Sequence, residues 1–332
     1  MTTELIEYQS YHDQLHKSRS FNWVLVRDLL RFLRKSKFRK SLIVSQYGYK
    51  LVDQYFSKLD PQEGWDLLEQ VIVCCLDCNQ IEKAQTLLNR LVAKFTTNSV
   101  RVKRLIGMLY ECQGLIQEAI NVYQTILQEY PSDSMSMKRQ ISIYKSQGIH
   151  NRAIQLLNTY LQIYMCDFEA WLELASIHIN LLSYKSALFC YEEIILNAPI
   201  NYLFYVKYAE ISYSLGGADN FILALKYYTH SLELNSPLDY PEQDHPPTNL
   251  PSIYGIIMSI YSFCESSHGG VNKLKDSQVN LMEWAQKQLL DITNQYTPDK
   301  KDIVSAFIKL TDIPKKSTTP KDVEQQQPTI EK

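Results

Sequence analysis

The chain has 332 residues, 45% hydrophobic and 21% charged, with only 10 Gly and a formal net charge of −2, which suits a mostly helical protein and excludes a low-complexity or collagen-like one. No apolar run approaches the ~18 residues of a membrane span. The opening stretch carries Glu4, Glu7 and Asp13 rather than an apolar core, so neither a transmembrane helix nor a secretory signal is expected.

Residues 1–20 are polar and expected to be frayed. Residues 21–40 form a strongly patterned helix. At about 100° per residue, Leu25, Val26, Leu29, Leu30, Phe32 and Leu33 share one face with Trp23, and Arg27, Arg31, Arg34 and Lys35 gather on the other. A second helix, about residues 41–59, carries Ile43, Tyr47, Leu51 and Tyr55. Pro61 and Gly64 then punctuate the chain. Charge is divided accordingly. Residues 1–50 hold 10 Lys and Arg against 4 Asp and Glu, and the rest holds 24 against 32, so a basic end is expected to meet something acidic.

From residue 61 a repeat takes over. Ala84, Ala119, Ala153, Ala187 and Ala224 recur at intervals of 35, 34, 34 and 37 residues. A period near 34 with a small residue at one position marks a helix–turn–helix repeat of tetratricopeptide type. The clearest copy runs Trp171, Leu174, Ala175, His178, Ala187, Tyr191 and Pro199. Another reads Ile106, Gly107, Tyr110, Ala119, Tyr123 and Pro131, and a weaker one Ile141, Tyr144, Ala153 and Leu157. Small residues let paired helices approach, aromatics fill the remaining space, and proline ends the second helix. The helices are expected to pair as 65–77 with 81–94, 100–113 with 116–129, 134–147 with 150–163, 168–181 with 184–196, and 202–215 with 220–234. Gly114, Gly148 and Gly216–Gly217 fall at the turns inside the repeats.

The expected organisation is all-α. A capping segment (1–60) combines the polar start with the basic amphipathic helices. A superhelical solenoid of about five repeats (61–235) is followed by a Pro-rich loop (236–251), a helical cap (252–311) and a disordered tail (312–332). Within the cap, helical pattern appears at 252–263, 277–295 and 299–310.

Chemistry is hard to find. There is no G-x-x-x-x-G-K and no G-x-G-x-x-G. Cys75-x-x-Cys78 beside Cys74 has no second pair at ligand spacing, so these are read as small buried residues. The seven cysteines suit free thiols in a reducing cytosol. His12 and His16 precede the ordered repeats, His178 is read as a core histidine, and no nucleic-acid motif is present. No enzyme activity, metal or cofactor is expected.

In stacked helix pairs the first helices line the concave face, where peptides dock. Here that groove should offer Arg101, Arg104, Met108 and Glu111, then Lys138, Ser142 and Lys145. Beyond them come Leu172, Ser176 and Ile179, and finally Val206, Glu210 and Tyr213. It is basic toward the middle and apolar beyond, fitting an acidic and hydrophobic segment. The face of Arg27, Arg31, Arg34 and Lys35 is either solvated over a packed cap or turned to a membrane or acidic partner; one helix can do both.

Several stretches carry a family resemblance: Arg101-Val-Lys-Arg-Leu-Ile-Gly-Met108, Glu169-Ala-Trp-Leu-Glu-Leu-Ala175, residues 184–199, Tyr208-Ala-Glu210 with Gly216-Gly217, and Trp284-Ala285 in the late helix. Over residues 41–295 the chain resembles subunit 2 of the endoplasmic reticulum membrane protein complex. The resemblance implies a non-enzymatic scaffold, peripheral on the cytoplasmic side of that membrane. It would bind the complex's transmembrane insertase subunits and a Mov34-like cytosolic subunit, and hold a cytosolic tail of a membrane subunit in the concave groove. The complex it would serve inserts transmembrane segments, including tail anchors. The N-terminal segment, the Pro-rich loop and the tail depart from the family, so contacts there do not carry over. The alternative is a soluble co-chaperone adaptor. Such adaptors place Lys and Asn at first-helix positions where this chain has Arg104 with Met108 and Leu172 with Ser176.

Overall fold

The computed structural model describes residues 3–17, 20–235, 249–266 and 273–313, which form helices joined by turns, with no strand among them. The chain divides into two compact units, Met1–Leu156 and Leu157–Lys332.

The first unit opens with α1 (Thr3–Lys17), where fraying was expected. The reason is a stripe hidden in polar sequence: Tyr8, Tyr11 and Leu15 fall on one side and pack against the core, with the Tyr11 and Phe32 rings 5.6 Å apart. Helix α2 (Trp23–Lys35) starts where the Asn22 side chain accepts from the amides of Val24 and Leu25, which replaces bonds the first turn lacks. It buries Val26, Leu29, Leu30 and Leu33.

The single helix expected over 41–59 is interrupted. Short α3 (Ser41–Ile43) passes through a π-helical turn, Val44–Gly48, into α4 (Tyr49–Gln54), and a 3-10 turn follows at Phe56–Lys58. Gly48 closes the π-helical turn. A Cβ there would lie 2.7 Å from a Val71 methyl and 3.3 Å from one of Leu30, so only glycine fits where α2, the helix of Val71 and this turn meet. Pro61 marks a boundary, as expected, but Gly64 lies inside the helix that follows. Asp60 caps α5 (Pro61–Asp77), Pro61 occupies its first turn, where no amide donor is needed, and Gly64 is buried beneath the Phe56 ring.

Helix α5 pairs with α6 (Ile81–Phe95), and α7 (Val100–Cys112) with α8 (Ile116–Glu129). Next come α9 (Ser134–Ser146) and α10 (His150–Ile163), within which the division between units falls. The second unit continues with α11 (Phe168–Asn180) and α12 (Tyr184–Asn197), then α13 (Tyr202–Leu215) and α14 (Ala218–Leu234). All five ladder alanines, Ala84, Ala119, Ala153, Ala187 and Ala224, are fully buried. A second ladder runs beside them. Asn79, Gly114, Gly148, Leu182 and Gly216 each take a positive φ, between 55° and 77°, at the turn inside a helix pair. This left-handed residue closes the first helix and aims the chain into the second.

Residues 236–248 of the expected Pro-rich loop, and 314–332 of the expected tail, lie outside the described residues. Helix α15 (Leu250–Glu265) begins two residues earlier than its pattern suggested, with Pro251 in its first turn. Asn249 fixes that start. Its amide donates to the carbonyls of Ser231 (3.0 Å) and Asn235 (3.1 Å), and the buried Ser231 and Ser252 hydroxyls lie 3.0 Å apart beside it. Helices α16 (Asp276–Tyr296) and α17 (Lys301–Leu310) complete the unit.

Candidate functional site

In the first unit the basic face of α2 does not stand alone. Arg31 makes a two-pronged pair with Glu63, one contact measuring 2.6 Å, and Arg34 lies 3.5 Å from Asp66. Arg27 pairs with Asp28 at 2.9 Å. Arg31 and Arg34 reach α5 acids 32 residues further on, so the counter-charge could not be seen in the local pattern of α2. The Arg31 hydrogen bond holds Glu63 below the usual carboxylate range, outweighing partial burial. Arg31, Arg34, Lys35, Asp60, Gln62, Glu63 and Asp66 line an open depression of about 520 Å³ with mixed charge. A face neutralised in this way is a weak magnet for anions.

The predicted groove residues of the first unit divide by exposure. Arg101 is exposed but reaches back to Asp66 (3.3 Å) and Glu69. Arg104 is half-buried, 3.8 Å from Asp133, which caps α9. Met108 packs on the core. Glu111 serves the interior of the fold. The hydroxyl of fully buried Tyr123 donates to it at 2.5 Å, and Arg139 donates at 3.0 Å. Burial opposes the Arg139 charge, yet Glu111 and Tyr123 raise its pKa overall. Lys138, Ser142 and Lys145 are exposed along α9, spaced for one helix face.

In the second unit Leu172 and Ile179 are half-buried and Ser176 is exposed on α11. On α13 Glu210 is half-buried and bonds Lys207 at 2.7 Å. Val206 corrects the expectation: it is 3% exposed, in a core shared with Ile253, Ile256 and Ile257 of α15. Tyr213 likewise meets Ser262 of α15 at 2.8 Å. Helix α15 therefore covers the face of α13 that was expected to remain open.

The cysteines of the C-x-x-C region are packed into the fold. Cys74 and Cys75 are buried, and burial pushes both thiols up to about 11, far from a reactive thiolate. All seven cysteines are free. His178 is half-buried and burial lowers its pKa. His12 lies on α1, its ring 6.0 Å from that of Tyr8. Among the described residues no group of three His, Cys, Asp or Glu could hold a metal ion, and no helix is long and apolar enough to cross a membrane.

Buried alanines at a 34-residue period and left-handed turns at the same period define a tetratricopeptide-type repeat protein. Residues 86–227 match the family model described as the EMC2 TPR-like repeat domain. The chain is 56% identical over 314 residues to ER membrane protein complex subunit 2 of Dictyostelium discoideum, covering 94% of this chain and 96% of that one. It is 34% identical over 267 residues to the subunit of the same name from Xenopus tropicalis, covering 80% and 85%. The chain belongs to the ER membrane protein complex subunit 2 family. In fold alone it is similar to the C-terminal part of a TPR repeat-containing protein from Cytophaga hutchinsonii, with a TM-score of 0.50 and 14% identity over 90% of this chain and 98% of that one.

Proposed function

We propose that this protein is a non-enzymatic scaffold subunit of an ER membrane protein complex, peripheral on the cytoplasmic face of the endoplasmic reticulum. It binds the transmembrane insertase subunits and a Mov34-like cytosolic subunit of a machine that inserts transmembrane segments, tail anchors included. The observation carrying this reading is 56% identity across nearly the whole of both chains. Repeat solenoids serve as platforms rather than catalysts, and the chemistry of the buried thiols and histidine agrees.

For capture of a cytosolic tail, Lys138, Ser142 and Lys145 present exposed side chains along α9, whereas Arg104 and Glu111 are half-buried and Val206 is buried. The test is affinity capture from detergent-solubilised membranes, comparing the protein with its Lys138→Glu/Lys145→Glu variant. Loss of one membrane subunit, with helicity intact, supports the groove. Capture of soluble chaperones in place of membrane proteins removes the scaffold reading.

A further inference from the structure

The N-terminal unit carries a second cationic surface, built differently from the arginine face of α2. The rings of Phe21 and Tyr55 stack with centroids 5.3 Å apart. The Lys50 ammonium stands 4.8 Å from the Phe21 centroid; that of Lys58 stands 5.1 Å from Tyr55 and 6.0 Å from Trp23. The Arg27 guanidinium lies 5.6 Å from the Trp23 ring. The three rings are half-buried and lean on the core, while Lys50 and Lys58 are exposed.

Arg31, Arg34, Arg39 and Arg101 in this unit each meet a carboxylate. Lys50 and Lys58 have no ion-pair partner among the described residues. Asp28 is engaged by Arg27, and Asp53, exposed on α4, pairs with neither lysine. A ring face holds a cation by its quadrupole without cancelling the charge, so these ammonium groups stay available to an external anion.

We propose that Phe21, Trp23, Lys50, Tyr55 and Lys58 form a contact surface for anionic phospholipid headgroups. Two features favour lipid over an acidic peptide. The unpaired cations are lysines, hydrated point charges suited to a diffuse layer of phosphates; planar carboxylates are recognised better by arginine forks. Aromatic rings interleaved with lysine are also the side chains that settle at the headgroup level of a bilayer. The surface deepens the membrane-peripheral reading above and rests on it, but it requires nothing of the groove.

The test uses full-length protein and flotation with vesicles of phosphatidylcholine alone or mixed with phosphatidylserine. Each lysine near an anionic surface contributes enough that reversing two should weaken binding roughly tenfold or more. Lys50→Glu/Lys58→Glu is compared with Lys226→Glu/Lys287→Glu, an equal charge change at exposed positions of α14 and α16. The proposal expects phosphatidylserine-dependent binding lost in the first variant and kept within about twofold in the second. If Lys50→Glu/Lys58→Glu loses helicity, Lys50→Gln/Lys58→Gln replaces it, with the same loss of binding expected. Equal weakening in both charge-reversal variants would overturn the proposal. So would indifference to the vesicles combined with lysine-dependent binding of poly-glutamate, which would point to an acidic protein. Because the scaffold reading is judged by co-purification of complex subunits, the two can fail separately.

Discussion

The ring of Tyr123 lies against the backbone of Gly107, so closely that a Cβ at residue 107 would stand 2.6 Å from a ring carbon and 2.8 Å from the hydroxyl. Helices α7 and α8 meet at this point. Tyr123 cannot retreat, because it is fully buried and its hydroxyl is bonded to Glu111. Gly107→Ala gains about 1 kcal/mol of helix propensity but overpacks the contact at about 1–3 kcal/mol. The rigid neighbour decides the sign. The variant should be less stable, with a lower midpoint in urea unfolding. Gly255→Ala, facing the Tyr228 ring at 2.3 Å, should behave in the same way.

Arg139, Glu111 and Tyr123 form one network, so their substitutions should not add. Arg139→Met leaves a partly buried carboxylate without its cation, a loss of about 3 kcal/mol. Glu111→Gln in the same chain should recover a large part of it. A double-mutant cycle in urea measures the coupling; strict additivity would remove the network.

Leu182 occupies the turn position that Gly114, Gly148 and Gly216 hold elsewhere, at φ 57° and with 69% of its surface exposed. A left-handed residue with a Cβ costs about 1–2 kcal/mol, and little packing is lost on truncation. Leu182→Gly should therefore raise the unfolding midpoint, despite added freedom in the unfolded chain. A fall would mean that the leucine packs more than its exposure implies.

Acid should loosen the first unit. The Arg31 hydrogen bond keeps Glu63 low. For Asp77 burial pulls upward, and bonds from Arg39 (2.9 Å) and Ser41 (2.6 Å) outweigh it. Both folded pKa values lie below the unfolded ones. The stabilisation is therefore complete above the ordinary carboxylate pKa, near about 4, and is lost as pH falls through the depressed values. Arg31 and Arg39 are largely solvated, so each pair is limited to about 1 kcal/mol. Urea midpoints measured from about pH 7 down to about pH 3 should fall, and Glu63→Gln with Asp77→Asn should flatten the decline.

What could be read from the sequence was whatever repeats or alternates locally. The alanine ladder was legible because burial demands a small residue at the same point in every pair. The apolar stripe of α2 was legible because helical period dictates it. The partners of that helix were not. Glu63 and Asp66 reach Arg31 and Arg34 only after the chain has turned back, so a face that reads as strongly basic is largely neutralised. Helix α1 carries only a faint local signal because Tyr8, Tyr11 and Leu15 are sparse among polar neighbours. Val206 holds a first-helix position that stays open in a uniform array, but α15, which lacks the repeat signature, packs over it.

No described helix of this chain is long and apolar enough to span a bilayer, and the proposed scaffold role attaches it to a membrane-bound complex through the subunits it holds. Affinity purification of the tagged protein from endoplasmic reticulum membranes, followed by mass spectrometry, reads those subunits out. Transmembrane subunits of the ER membrane protein complex should be recovered together with a Mov34-like cytosolic subunit, in comparable amounts. Recovery from the soluble fraction alone, with chaperones and none of those subunits, would refute the scaffold role.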